Sequence, residues 1–111
     1  MIDDEDERGW QRVLDAFGEA QGWACTKCPE RDRDEAHIFL QQIFRHLKDA
    51  VEGRYIIDVW EYRPACNAVE VGMLRELARC FEKVKAPAIL VVPFDPDALG
   101  MSSKYMRTTP D

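Results

Sequence analysis

The sequence predicts an α/β fold: a small two- or three-layer domain with three helices and a short, mainly parallel sheet of two or three strands. The main observation is the stretch from Tyr55 to Asp97, in which YIIDVWEYRP and AILVVPFDPD flank a run with helical periodicity. Strand, helix and strand in this order form one parallel unit. The chain has 111 residues, which suits a single domain over 1–111 with an acidic tail at 1–6 and a polar tail at 101–111.

Two helices are predicted before this unit. The first spans about residues 7–21, where apolar side chains recur every three to four positions until Gly22 interrupts them. The second spans about residues 33–52 and is expected to be the longest, because its apolar repeat persists over five turns. Its start is indicated by Asp32 and Glu35, which have the spacing of a capping box.

The segment between these helices, WACTKC at residues 23–28, has no helical pattern and is predicted to be a strand or a loop. Pro29 prevents any regular element from continuing beyond it. If the segment is a strand, right-handed crossovers give a parallel three-stranded sheet.

The central unit begins with a strand over about residues 55–62, which is rich in β-branched and aromatic side chains. Asp58 is unusual there, because a carboxylate in the middle of a covered strand requires a partner or an open face of the sheet. Asn67 and Glu70 match a capping box and predict the start of the third helix. Residues 88–92 are continuously apolar, which is typical of a strand buried on both faces.

Aromatic and charged residues follow both strands of this unit. Parallel neighbours present their carboxyl ends at the same edge of a sheet, which is where open α/β sheets bind ligands. Aromatic rings surrounded by charge are common at the centre of protein interfaces. The predicted binding site therefore consists of Trp60, Glu61, Tyr62, Arg63, Phe94, Asp95 and Asp97.

The overall charge bears on the partner. The chain has 21 acidic and 15 basic residues, a formal net charge of −6 at pH 7 with His neutral. A negative field repels phosphate backbones, so we expect no direct binding of nucleic acid. The same charge is compatible with a basic protein partner, and the alternative is that it serves only solubility. Apolar runs reach only strand length, so no membrane association is expected. The acidic N-terminal sequence has no apolar secretion signal, from which we expect a cytoplasmic location.

Cys25 and Cys28 form a CxxC pair, which suits either a disulfide or two metal ligands, and the alternative is that the two cysteines are incidental. With Trp23 and Pro29 on either side, the pair loosely resembles a thioredoxin-type site, which implies thiol redox chemistry. A zinc site would need two more ligands, and the reasonable donors are Cys66 and His37. Cys80, by contrast, lies on the apolar stripe of the third helix and is predicted to be a core residue.

A second motif follows the buried strand, where Asp95 to Gly100 reads DPDALG. This DxDxxG pattern is similar to the second acidic motif of Toprim-type nucleases and primases, a resemblance that implies Mg²⁺ binding by Asp95 and Asp97. Glu61 would supply a third carboxylate. The alternative is a proline-bounded turn in which the Asp side chains cap local structure.

These observations favour a small acidic protein-binding module without a cofactor, of the inhibitor, antitoxin-like or adaptor kind. A non-enzymatic role is favoured because no complete catalytic set is visible in the sequence. The alternative is a metal-dependent or thiol-redox enzyme that uses the carboxylates of Glu61, Asp95 and Asp97 or the pair of Cys25 and Cys28. The sequence predicts no particular oligomeric state.

Overall fold

The fold is a four-stranded sheet with helices packed against it. A computed structural model describes residues 4–51 and 53–108, and side-chain surroundings for 8–48 and 53–108. A single 3-10 turn at Glu30–Asp32 joins the first two helices. In the part of the chain described, the elements follow the order α1 (Asp4–Thr26), α2 (Arg33–Phe44), β1 (Leu47–Val51), β2 (Arg54–Asp58), α3 (Val59–Tyr62), α4 (Ala68–Val84), β3 (Ala88–Val91) and β4 (Met106–Arg107).

The strands lie in the order β1-β2-β3-β4. β1 and β2 form an antiparallel hairpin, whose turn contains Gly53 at a φ of 81°. β2 pairs with β3 and β3 pairs with β4, both in parallel. The predicted α/β class with a mainly parallel sheet is confirmed, although the sheet has four strands where two or three were expected.

The helices cover the sheet face that carries Ile57, Leu90 and Met106, which are register partners across three strands. All three side chains belong to the apolar core. α1 packs against both α2 and α4, and Val13 of α1 and Leu77 of α4 are fully buried there. Burial of such side chains contributes roughly 1.5–3 kcal/mol each to folding.

α1 is longer than predicted, because it continues through Gly22 to Thr26. Ala20 and Ala24 are fully buried and extend the packing stripe past the glycine. Tertiary packing thus overrides the helix-breaking tendency of glycine, which is only about 1 kcal/mol. The helix ends where the backbone N–H groups of Lys27 and Cys28 both donate to the carbonyl of Trp23, at 2.8 and 3.2 Å. The prediction of a strand or a loop for residues 23–28 is therefore wrong for residues 23–26, which are helical.

α2 is shorter than predicted. It ends at Phe44, and the last part of the expected helix forms β1 instead. Leu47 pairs with Ile57 across the hairpin, so a side chain assigned to a helical stripe belongs to the sheet. The predicted capping box at the start of α2 is also wrong. Asp32 makes no side-chain cap hydrogen bond, and the Glu35 carboxylate accepts from the Asn67 amide at 2.9 Å.

β2 ends at Asp58, four residues before the predicted end of the strand. The Asp58 carboxylate accepts a hydrogen bond from the backbone N–H of Glu61 at 3.0 Å and so caps α3. The cap stops the strand and turns the chain into one short helix. The prediction that Asp58 has a partner is confirmed.

The second half of the central unit matches the prediction. Asn67 and Glu70 form the expected reciprocal capping box at the start of α4. α4 ends at Val84, and the C-cap residue Lys85 adopts a left-handed conformation with a φ of 56°. All four residues of β3 are buried, as expected of a strand covered on both faces.

The expected C-terminal tail at 101–111 is part of the fold as far as it is described. Met101, Tyr105 and Met106 are buried in the core. The backbone N–H of Leu90 donates to the Tyr105 carbonyl at 2.7 Å, which seats β4 on the free edge of β3. Residues 109–111 lie outside the described residues. At the other end, α1 already begins at Asp4 within the predicted tail at 1–6, of which 1–3 are not described.

Substitutions at two glycines of α1 test the length and the packing of this helix. Gly22→Ala should raise the free energy of unfolding by about 0.5–1 kcal/mol, because Gly22 lies inside the helix. An added Cβ there would meet no atom within 4 Å. Gly9→Ala is the matched contrast and should destabilise the protein, since its Cβ would lie 2.9 Å from Cγ of Pro87. Urea denaturation measures both, and a destabilising Gly22→Ala would mean that α1 ends at Gly22.

Candidate functional site

The predicted edge exists. Asp58 and Val91 are register partners at the ends of two parallel neighbouring strands. α3 and the segment 92–100 therefore leave the sheet at the same edge. The premise that β2 and β3 are parallel neighbours is confirmed, and the residues that follow them can be placed one by one.

Trp60 is the most exposed of the three aromatic residues predicted for the site. It lies on α3, and 45% of its surface is accessible. Val59, the first residue of α3, is fully buried and fixes the short helix to the core. The Asp58 cap fixes the start of the same helix. Trp60 is therefore held on a well-anchored turn with its ring partly in solvent.

Tyr62 and Phe94 are both half-buried and pack against the apolar core. The Tyr62 ring lies 6.2 Å from the ring of Phe39 and 5.1 Å from that of His46, between centroids. Tyr62 thus attaches α3 to α2. The rings of Tyr62 and Phe94 therefore contribute mainly to core packing. Of the three predicted aromatic residues, Trp60 is the best placed to contact a partner.

Glu61 has a partner within the protein. Its carboxylate lies 3.0 Å from Nζ of Lys48 on β1, which also lies 3.9 Å from the Asp58 carboxylate. The hydrogen bond to Glu61 and its negative charge raise the pKa of Lys48. The hairpin strand β1 therefore offsets part of the negative charge at the edge.

Arg63 forms a structural ion pair with Glu70. Its Nε lies 2.8 Å from the Glu70 carboxylate, whose side chain is only 5% exposed. The same carboxylate accepts from the backbone N–H of Asn67 at 2.9 Å. A buried carboxylate needs such partners, because burial disfavours an isolated charge. The capping-box pattern of Asn67 and Glu70 located this carboxylate in the sequence, but nothing in the sequence pattern pointed to Arg63 as its counter-ion.

Asp95 and Asp97 lie in a tight turn. The Asp95 carboxylate accepts from the backbone N–H of Asp97 at 3.0 Å, and the Met101 N–H donates to the Pro96 carbonyl at 2.7 Å. The turn-capping alternative is therefore confirmed for Asp95. Both Asp residues line an open cleft of about 330 Å³ whose wall also includes Ser102, Ser103 and Arg107.

The carboxylate triad expected from the Toprim-like pattern does not form. Glu61 contacts Lys48 and is not among the residues that line the cleft of Asp95 and Asp97. Among the residues that the structure describes, no group of three or more His, Cys, Asp or Glu side chains is placed to hold a metal ion. This correction applies equally to a zinc site built on Cys25 and Cys28.

The two cysteines of the CxxC pair have different surroundings. Cys25 is exposed on the last turn of α1, and its Sγ lies 2.9 Å from Nε2 of His37 on α2. Cys28 is buried, and burial followed by the charge of Asp32 raises the pKa of its thiol, against a smaller opposite effect of Arg33. The pair is thus unlike a thioredoxin-type site, in which both sulfurs react in turn.

Cys66 and Cys80 complete the set of cysteines. Cys80 is 1% exposed, which confirms the prediction that it is a core residue. Burial, aided by Glu76, raises the pKa of the Cys80 thiol to about 11. Burial, aided by Glu70, does the same for Cys66. Neither thiol carries a charge near neutral pH.

Comparison with known proteins leaves the site to be interpreted from its geometry. No protein-family model, curated protein or solved structure matches the chain. Within residues 4–51 and 53–108, no helix is long and apolar enough to cross a lipid bilayer. The function must therefore be inferred from which side chains are exposed, paired or buried.

The ion pair of Arg63 should matter for stability. Arg63→Ala removes the counter-ion of a buried carboxylate and should lower the free energy of unfolding by about 1–2 kcal/mol. Lys48→Ala is the matched control, because its partner Glu61 is exposed, and its cost should stay below about 1 kcal/mol. Chemical denaturation measures both. Equal costs for the two variants would contradict the structural role of Arg63.

Stability should fall between about pH 9 and pH 11. In the unfolded chain the thiols of Cys66 and Cys80 lose their protons near pH 9.0, whereas in the folded protein both keep them to about 11. The folded state binds more protons in this range, so the free energy of unfolding decreases as pH rises. Denaturation midpoints at pH 8 and pH 10.5 measure this decrease. Cys80→Ala should show a smaller decrease, and an identical one would contradict the assignment.

Proposed function

We propose that the chain is a small acidic protein-binding module, of the inhibitor, antitoxin-like or adaptor kind, that engages a basic protein partner. The contact surface is the sheet edge that presents Trp60. The observation that carries this conclusion is the 45% exposure of Trp60 on a turn that is fixed at both ends. An exposed tryptophan on a rigid support is a typical anchor at the centre of a protein interface.

The rigidity of α3 supports binding. The Asp58 cap, the buried Val59 and the packing of Tyr62 hold the turn before any partner arrives. The entropic cost of ordering this segment on association is therefore small, which favours a higher affinity.

The charge of the edge supports a basic partner. Asp95 and Asp97 are exposed, and the whole chain carries a formal charge of −6. Complementary charge mainly accelerates association, whereas a buried aromatic anchor mainly slows dissociation. The four cysteines are free, which supports the cytoplasmic location that belongs to this proposal.

Capture from the native host tests the role of Trp60. The bait is the full chain, and we expect a specific partner to be lost with Trp60→Ala and retained with Ile38→Ala. Ile38 is the matched control, because it is another large exposed apolar residue, at 53%, but lies on α2. If the set of captured proteins is the same for Trp60→Ala as for the unchanged chain, this edge is not the binding surface.

Binding kinetics with the purified partner then separate the two contributions. Trp60→Ala should speed dissociation roughly 30-fold, which corresponds to ~2 kcal/mol for an anchor residue. Asp97→Lys should instead slow association and flatten its dependence on salt. Asp95→Asn serves as the milder variant, because it removes the charge and keeps an acceptor for the N–H of Asp97. An association rate that neither Asp variant changes would rule out electrostatic steering by this turn.

A further inference from the structure

The strongest feature outside this edge is a thiol–imidazole pair in the hairpin of α1 and α2. Sγ of Cys25 lies 2.9 Å from Nε2 of His37, and Cys25 is exposed to solvent. Nε2 of a neutral imidazole can accept the thiol proton, and the thiolate, rather than the thiol, is the nucleophile. A neighbouring base is the usual means of activating a cysteine.

The backbone around the pair is fixed. The N–H of Lys27 donates to the Trp23 carbonyl at 2.8 Å and closes α1, and Nε of Arg33 donates to the Cys28 carbonyl at 3.1 Å. Ala24 and Ala36, next to the two reacting side chains in sequence, are fully buried. Cys25 and His37 therefore belong to elements with defined positions.

A cleft adjoins the pair. It has a volume of about 440 Å³ and lies between α1 and α2, with His37 in its wall. Gln21, one helical turn before Cys25, is also in the wall. Cys25 itself does not line the cleft, and its thiol adjoins the cleft through the contact with His37. Gly18 lies in the wall further along α1, where a Cβ would meet no atom within 4 Å, so its missing side chain leaves the cleft open.

The lining indicates the kind of molecule that the cleft fits. Leu40 and Phe44 of α2 offer apolar surface, and Arg45 at the end of the helix offers a positive charge. This combination suits an apolar or aromatic body with a carboxylate. We propose that Cys25 is a thiol–disulfide exchange site for small organic disulfides of this kind, with His37 as the proton acceptor.

The exchange is balanced without any further reactant. His37 takes the thiol proton, and the Cys25 thiolate attacks one sulfur of the disulfide. A new disulfide forms to Cys25 as the disulfide of the reagent breaks, and the leaving thiolate takes the proton from the imidazolium or departs as an anion. The Cys25 sulfur is oxidised and the leaving sulfur is reduced. Cys28 is buried, so the mixed disulfide persists until an external thiol removes it.

The probe is 5,5′-dithiobis(2-nitrobenzoic acid), an aromatic disulfide with carboxylates that releases a coloured thiolate. With the intact chain at neutral pH, we expect one fast reaction, mapped to Cys25 by mass spectrometry and faster than Cys25 in the urea-unfolded chain. His37→Gln should slow it about tenfold or more. His46→Gln, the same substitution at the other histidine of the chain, which does not line the cleft, is the matched control and should change the rate little.

Two further measurements distinguish the role of His37 as a base from the role of the cleft in binding the reagent. Imidazole added to His37→Ala should restore part of the rate at Cys25, a result that a merely structural role of His37 would not produce. Gly18→Leu should fill the cleft and slow the aromatic disulfide, but should leave the rate with cystamine, which has neither ring nor carboxylate, unchanged. Equal slowing of both reagents would overturn the assignment of the ligand.

Two outcomes would overturn the exchange site itself: a folded-state rate at Cys25 no faster than in the unfolded chain, or a rate that His37→Gln leaves unchanged. Both comparisons are made on proteins whose circular dichroism matches the original chain, and the first needs no variant. The experiment uses none of the residues at the Trp60 edge, so its result is independent of the proposed protein binding.

Discussion

The burial of β3 is the constraint on which the rest of the structure depends. All four residues from Ala88 to Val91 are buried, so their backbone N–H and C=O groups cannot be satisfied by water. β2 satisfies one side of the strand and β4 the other. This requirement explains why a C-terminal segment with little local pattern is held in place, and why Met106 reaches the core. It also fixes the two strand ends that form the Trp60 edge.

The parts of this fold that could be predicted are those with strong local signals. The capping box at Asn67 marks the start of α4, and Pro87 and Pro93 bound the continuous apolar run of β3. Both predictions are confirmed. β4 could not be predicted, because two residues have no period and pair only as β3 requires. The prediction of a helix at β1 is wrong because Leu47 fits a helical stripe as well as a strand, and only its pairing with Ile57 decides between them.

The candidate site was predictable in outline and not in detail. That β2 and β3 end at one edge follows from their parallel order, but the pairing of Arg63 with Glu70 and of Lys48 with Glu61 depends on three-dimensional packing. One signal in the sequence does indicate where the strand ends. Asp58 and Glu61 have the spacing of a helix N-cap, which would have ended the strand at Asp58 and placed Trp60 on a helical turn.

Whether the contact between Cys25 and His37 can be predicted depends on where α1 ends. With α1 ending at Gly22, Cys25 belongs to a loop and has no defined neighbour. With α1 continuing to Thr26, Gly18 and Gln21 line the cleft, and Cys25 follows one turn later, where it contacts His37 of α2. The buried alanines that carry the helix past Gly22 therefore also position the exposed thiol. The same apolar packing that determines the length of α1 thus places Cys25 against His37, beside the cleft.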